Sequence, residues 1–178
     1  MRLSAIASDL PTHNSPMTFL LDALSKGSGP EEIAIAFQAY TAYLESIRHA
    51  LPKSAYDFAA AQWHYNYTDH RCPHDSWLES LTISEPALGS RKEIRHVDIV
   101  LRLLGAFHDG ALELSYSSVS SYSFSGASGI VGNAGHGNWL ADEIRLSEKN
   151  MVHHEVLFSN GSRWLIESKD IQTRWVHA

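Results

Sequence analysis

Apolar residues in the second half of the chain recur at every other position, the spacing that lines one face of a β-strand. Leu140, Asp142, Ile144 and Leu146 alternate with Ala141, Glu143 and Arg145, and Val152, His154, Val156 and Phe158 share one face of the next segment. The alternation predicts strands over Trp139–Ser147, Met151–Phe158, Arg163–Lys169 and Ile171–Val176, with turns at Glu148–Asn150 and Ser159–Gly161. Asn160-Gly161 is the clearest of these turn signals, because both residues tolerate positive φ. Upstream, Trp77–Ser84 and Ile94–Phe107 read as strands, with a loop over Glu85–Lys92. Apolar residues on both faces of the later half of Ile94–Phe107 place it near a sheet centre. His108-Asp109-Gly110 reads as a hairpin turn, Leu112, Leu114 and Tyr116 alternate after it, and Ser117–Phe124 continues beyond a bend.

The first half changes period. Met17, Leu20, Leu21 and Leu24 fall on one face of a short helix over Pro16–Lys26. Ile33, Ala36, Phe37, Tyr40, Leu44, Ile47 and Leu51 recur in steps of three and four. Ser28-Gly29-Pro30 precedes Glu31 and Glu32, which favour the positive end of the helix dipole, and Pro52 prevents continuation. A third helix is predicted over Ser54–Tyr65, with Tyr56, Ala59, Ala60 and Trp63 on one side. The expected fold is therefore α+β: two or three N-terminal helices packed on a seven- or eight-stranded, mostly antiparallel sheet, curled or forming a partial barrel. The expectation is one domain over residues 1–178, with a loose lead-in at 1–14, a helical part at 15–66 and a β-rich part at 76–178.

Composition narrows the classes. A chain of 178 residues with 44% hydrophobic and 19% charged residues suits a globular protein with a real core. The net charge of −6 argues against a nucleic-acid backbone or an anionic membrane as partner, and is compatible with a basic protein. No run approaches the ~20 apolar residues that span a bilayer. The single cysteine, Cys72, cannot close an internal disulfide, and no secretory leader is read at Met1–Leu10, so a reducing, cytoplasmic setting is expected.

The densest chemistry is Asp69-His70-Arg71-Cys72-Pro73-His74-Asp75. In an extended segment His70, Cys72 and His74 would project to one side, and imidazole and thiolate suit zinc. His70, His74, Asp75 and His108 are the candidate metal ligands; the bland alternative is a polar turn. The chain has 11 histidines, of which His64, His136, His153 and His154 could also converge, although His153 and His154 must face opposite ways as strand neighbours. His-Asp occurs twice, but outside the helical setting that metal phosphohydrolases of that doublet use. Gly126, Gly129, Gly132, Gly135 and Gly137 mark a loop over Ser125–Asn138 that fits neither a P-loop nor a dinucleotide fingerprint. There is no Gly-x-Ser-x-Gly nucleophile elbow, and Cys72 with His74 is too close in sequence to stand for a catalytic pair. Glu143, Glu155 and Glu167 recur on successive strands, as a solvated face or a site for a basic partner.

The segment from Phe37-Gln-Ala-Tyr through Leu51-Pro52 to His74-Asp75-x-x-Leu78 resembles small bacterial proteins in which a helical pair precedes a His-Asp-x-x-Leu element and an antiparallel sheet. The likeness covers Phe37–Tyr116 and implies that fold, with no activity. In size and acidity the chain is also similar to immunity proteins that neutralise bacterial toxins. The expected function is a non-enzymatic protein-binding protein, of immunity type among others, needing no cofactor. A metal-dependent hydrolase or metal-binding protein and a small-ligand carrier are the alternatives. Oligomeric state is left open.

Overall fold

A computed structural model describes residues 19–125 and 135–178. The helices are α1 (Leu20–Ser25), α2 (Pro30–Ile47) and α3 (Lys53–Ala59). The strands are β1 (Trp77–Ser84), β2 (Ala87–Leu88), β3 (Ile94–Arg95), β4 (Val97–Leu104), β5 (Gly110–Val119), β6 (Ser121–Phe124), β7 (Trp139–Leu146), β8 (Val152–Phe158), β9 (Arg163–Ser168) and β10 (Asp170–His177). The α+β class stands. The lead-in at 1–14 and the centre of the glycine loop, 126–134, lie outside the described residues.

The sheet differs from the expectation. Among the described residues there are three antiparallel sheets and none is closed: β1-β4-β5-β10, a ribbon β2-β3, and β6-β9-β8-β7. The strand expected over Ile94–Phe107 breaks at His96 and ends at Leu104, and the loop expected at Glu85–Lys92 contains β2. What looked like curling is a hand-over between the two larger sheets. The pair β5/β10 passes into the pair β6/β9 through Lys169 N–H donating to the Ser117 carbonyl (3.0 Å) and Ser120 N–H donating to the Glu167 carbonyl (2.8 Å). At this bend Ser118 adopts φ 49°, a left-handed conformation held by its N–H bond to the Asp98 carboxylate (3.0 Å).

Turn chemistry follows the sequence at two places. Asn150 (φ 57°) and Gly161 (φ 83°) take the left-handed positions of the β7–β8 and β8–β9 turns. In the β4–β5 turn the positive φ falls on His108 (59°) rather than on the Asp-Gly pair. Gly110 is required there for space, since a Cβ would sit 2.5 Å from the Trp175 ring.

One core joins the inner faces of both four-stranded sheets to the helices. It includes Ile99, Leu101 and Leu103 of β4, Leu112 and Leu114 of β5, Val152 and Val156 of β8, and Tyr40, Leu44 and Phe58 of the helices. The helices reach the sheet in an unexpected way. β7 is an edge strand, and an edge leaves backbone groups unpaired. Three tyrosines satisfy them. Tyr65 donates to the Asp142 carbonyl (2.5 Å), Ile144 N–H donates to the Tyr40 hydroxyl (2.7 Å), and Leu146 N–H donates to the Tyr43 hydroxyl (3.0 Å). The helical part therefore docks along a strand edge as well as on a sheet face.

Candidate functional site

The Tyr40 and Tyr65 rings form the floor of a groove between α2 and α3. Its volume is about 730 Å³, and Phe37, Leu44, Tyr56 and Ala60 complete the apolar walls. Gln38, Thr41 and Glu45 stand on the α2 rim. The sequence opens this groove for a local reason. α2 stops at Ile47, a turn follows, Pro52 caps α3 at Lys53, and α3 stops after two turns at Ala59, short of the Tyr65 expected. The chain then runs through turns to Tyr65, which meets Phe37 edge-on at 5.1 Å and Tyr40 at 6.4 Å.

α2 itself is under-used as a core element. Of its 18 residues only Tyr40 and Leu44 are fully buried. From Ile33 to Leu44 it carries no charged side chain. Ile35 is 65% exposed and Phe37 37%, beside exposed Ala34, Ala39 and Ala42. Exposed single hydrophobics are ordinary, but a charge-free helix face continuous with an aromatic-lined groove is not.

Beneath the groove lies a buried polar cluster that fixes its floor. Asp142 and His64 are each 1% exposed and His154 is 0%. The Asp142 carboxylate accepts three donors: His64 Nε2 and Trp139 Nε1 on Oδ1, and His154 Nε2 on Oδ2, each at 2.9 Å. His64 Nδ1 faces the Phe58 carbonyl at 2.9 Å. Both ring nitrogens of His64 thus face acceptors, so both carry hydrogen and the ring is an imidazolium. Tyr116 donates to His154 Nδ1 at 2.8 Å, which closes the chain of bonds. Burial pushes the His64 ring downward, but the Asp142 charge and its hydrogen bonds outweigh this and hold His64 above its ordinary value. Burial likewise opposes ionisation of Asp142, yet His64 and His154 hold its carboxyl far below the usual range. The His64 ring stacks between Phe58 (4.3 Å) and Tyr65 (4.4 Å), so the ion pair sets the position of the groove floor.

A cluster this deep offers no access to a substrate; it is a support. Unsupported, such groups would be costly to bury, and here each is hydrogen-bonded. The sequence contained the signal, since Asp142 and His154 are single polar residues on otherwise apolar strand faces. Their register neighbours, Ile144 opposite His154 and Val156 opposite Asp142, place them side by side.

The candidate metal ligands do not converge: His70 and His108 lie at the β4–β5 turn of the first sheet, and His74 and Asp75 lie against the start of β7. His70 bonds Asp109 (2.5 Å) and stacks on Phe107 (4.2 Å). His74 Nδ1 donates to the Leu140 carbonyl (2.8 Å), its Nε2 lies 3.5 Å from Asp75, and it stacks on Tyr67 (4.2 Å). His108 meets Trp77 edge-on at 5.0 Å. Asp75 (φ 61°) accepts a bond from Asn138 (3.1 Å). Among the described residues no three His, Cys, Asp or Glu side chains are grouped to hold a metal ion. Cys72 is buried, its thiol donates to the His64 carbonyl, and burial pushes it up to about 11, so no thiolate is on offer.

The three strand glutamates do share a face, as alternation requires, but it is not the solvated face expected. Glu143 is 0% exposed, and Glu155 and Glu167 are 8%. Glu143 accepts the N–H groups of Phe19 and Leu21 (3.0 Å each) and so anchors the start of α1 on the sheet. Glu155 is held by Arg145 and Arg163, and Glu167 by Ser120 (2.6 Å) and Lys149 (3.1 Å). The face is an internally neutralised lattice, with Leu21 of α1 packed against Ala141 and Leu157 beside it.

No family model matches the chain, and no curated protein or solved structure proves similar to it. Among the described residues no helix is long and apolar enough to cross a membrane.

Proposed function

We propose that this chain is a non-enzymatic protein-binding protein, and that the groove between α2 and α3, with the charge-free face of α2, is its docking surface. The exposed, uncharged stretch of α2 beside the 730 Å³ groove carries the reading. Such a groove accepts apolar side chains presented by a helix, the mode in which anchors spaced three and four residues apart enter a hydrophobic channel. The rigid floor favours this use, because Tyr40 and Tyr65 are fixed by β7 and by the His64–Asp142 pair before any partner arrives. The three glutamates that the sequence offers to a basic partner are occupied internally, so the contact expected is apolar rather than charge-driven.

A photo-crosslinking residue placed at Gln38 in living cells tests this. A discrete protein adduct is expected at Gln38 and none at Ser115, on the outer face of the first sheet. No adduct at Gln38 would remove the reading. A small apolar ligand is the second reading, because the volume lies within the range of about 300–1,000 Å³ usual for such sites. Native mass spectrometry of gently purified protein distinguishes it by a fixed added mass that is lost on Ala60→Trp.

A further inference from the structure

Beyond the groove, we propose that the β2–β3 hairpin is a second docking element, an arm that inserts into an acidic protein surface with an apolar slot. The ribbon continues the pairing of β1 with β4. Ser84 lies opposite Asp98, Ala87 opposite Arg95 and Leu88 opposite Ile94, with one constant offset. The four strands are therefore one long hairpin whose outer end leaves the sheet, because β5 pairs with β4 only as far as Val97. Every residue from Ala87 to Arg95 is exposed, and none enters the core. The tip is nonetheless shaped. Gly89 (φ 85°) and Lys92 (φ 58°) take left-handed positions, Lys92 N–H donates to the Gly89 carbonyl (3.2 Å), and the Glu93 carboxylate accepts the Arg91 N–H (2.8 Å).

The side chains of the arm define what covers it. Leu88 (51% exposed) and Ile94 (55%) form a cross-strand apolar pair in solvent. Among the described residues every lysine and arginine enters an ion pair except Arg91, Lys92 and Lys169. Two of these three stand at the tip of the arm. Ala87 to Arg95 carries three cations and one acid, a net +2 on a chain of −6, so the rest of the molecule carries −8. The residues from Glu85 to Ser90, at about 3.3 Å each, set the tip up to about 20 Å beyond Ser84. That exceeds the Debye length of about 8 Å at physiological salt, so the arm reaches carboxylates while the acidic body stays screened from them. Other classes of partner fit less well. Each ribbon strand keeps one edge without a strand neighbour, and lipid hydrocarbon does not admit unpaired backbone. A phosphate backbone offers nothing to Leu88 and Ile94 and repels the remaining −8. A protein surface supplies apolar contacts, carboxylates and backbone partners together.

A photo-crosslinking residue at Ser90 in living cells, followed by titration with the purified partner, tests the arm. A protein adduct is expected at Ser90. The protein identified in it, purified and titrated against the whole chain, is expected to bind Leu88→Ser plus Ile94→Ser about tenfold more weakly than wild type. Arg91→Ala plus Lys92→Ala is expected to weaken binding about tenfold at about 50 mM salt and to differ little from wild type at about 500 mM, where the charges are screened. All four side chains are exposed, and an unchanged thermal melt verifies that each variant folds. The inference is overturned by the absence of a protein adduct at Ser90, by an adduct that nuclease removes, by an adduct to lipid alone, or by a titration that either pair of substitutions leaves unchanged. The groove is judged separately, because the Gln38 adduct reports α2 and the arm substitutions leave that helix untouched.

Discussion

Replacing Asp142 by Asn tests the support beneath the groove. The substitution keeps the shape of the side chain and removes the charge that faces His64, His154 and Trp139. One amide oxygen cannot accept all three donors, and the new N–H groups point at hydrogens. Removing one partner of a buried pair costs about 3–5 kcal/mol, a large part of the roughly 5–15 kcal/mol by which most domains are stable. At about 2–4 °C per kcal/mol, the melting temperature should fall by roughly 6–20 °C. The loss should depend on pH. Asp142 is held below its ordinary value, so its contribution is present above about pH 4 and disappears as pH falls through the native value. His64 is held above its ordinary value, so its contribution is complete below about pH 6.5 and is lost as pH rises through the native value. The penalty of Asp142→Asn should therefore be greatest between about pH 4 and 6.5 and shrink at higher pH. His153, which burial pushes down, has the opposite slope in this range, but it is common to both proteins and cancels in the difference. Urea unfolding followed by tryptophan fluorescence at pH 5.5 and 8.5 measures it. A penalty below about 1 kcal/mol at pH 5.5, or one equal at both values, would refute the ion-pair assignment.

Three further outcomes follow from the same contacts. Tyr40→Phe strands the Ile144 N–H at the β7 edge and should cost about 1–3 kcal/mol, whereas Tyr65→Phe leaves only a carbonyl short of one donor and should cost about 1 kcal/mol; chemical denaturation ranks the two, and equal losses would contradict the edge-capping role. Gly110→Ala forces a methyl into the Trp175 ring and to 2.7 Å from the Val176 carbonyl oxygen and should destabilise by about 1–3 kcal/mol through overpacking, read as a lowered melting temperature; an unchanged melting temperature would contradict it. Excess zinc or manganese should leave the melting temperature unmoved, because His70, His74 and His108 are engaged by separate neighbours; a rise abolished by His70→Ala would reinstate the ion site.

Local rules carried most of the secondary structure. Strict alternation put β1 on its observed residues, and the Gly29-Pro30-Glu31-Glu32 stretch marked the start of α2 and Pro52 that of α3, whereas α2 ends at Ile47, short of the Leu51 expected, because caps, prolines and side-chain period act over a few residues. The paired histidines and aspartates near residue 70 showed the limit of that reasoning, since sequence proximity did not aim them at one point.

Alternation also put Glu143, Glu155 and Glu167 on one face and Asp142 and His154 on the other. Whether a face meets water depends on what packs across it, and that information is not local. α1 and the arginines of neighbouring strands bury the first set, and helices from the other half of the chain enclose the second. The groove has the same origin: it exists because Tyr40, Tyr43 and Tyr65, far from β7 in sequence, bond to its edge and hold α2 with one side still open.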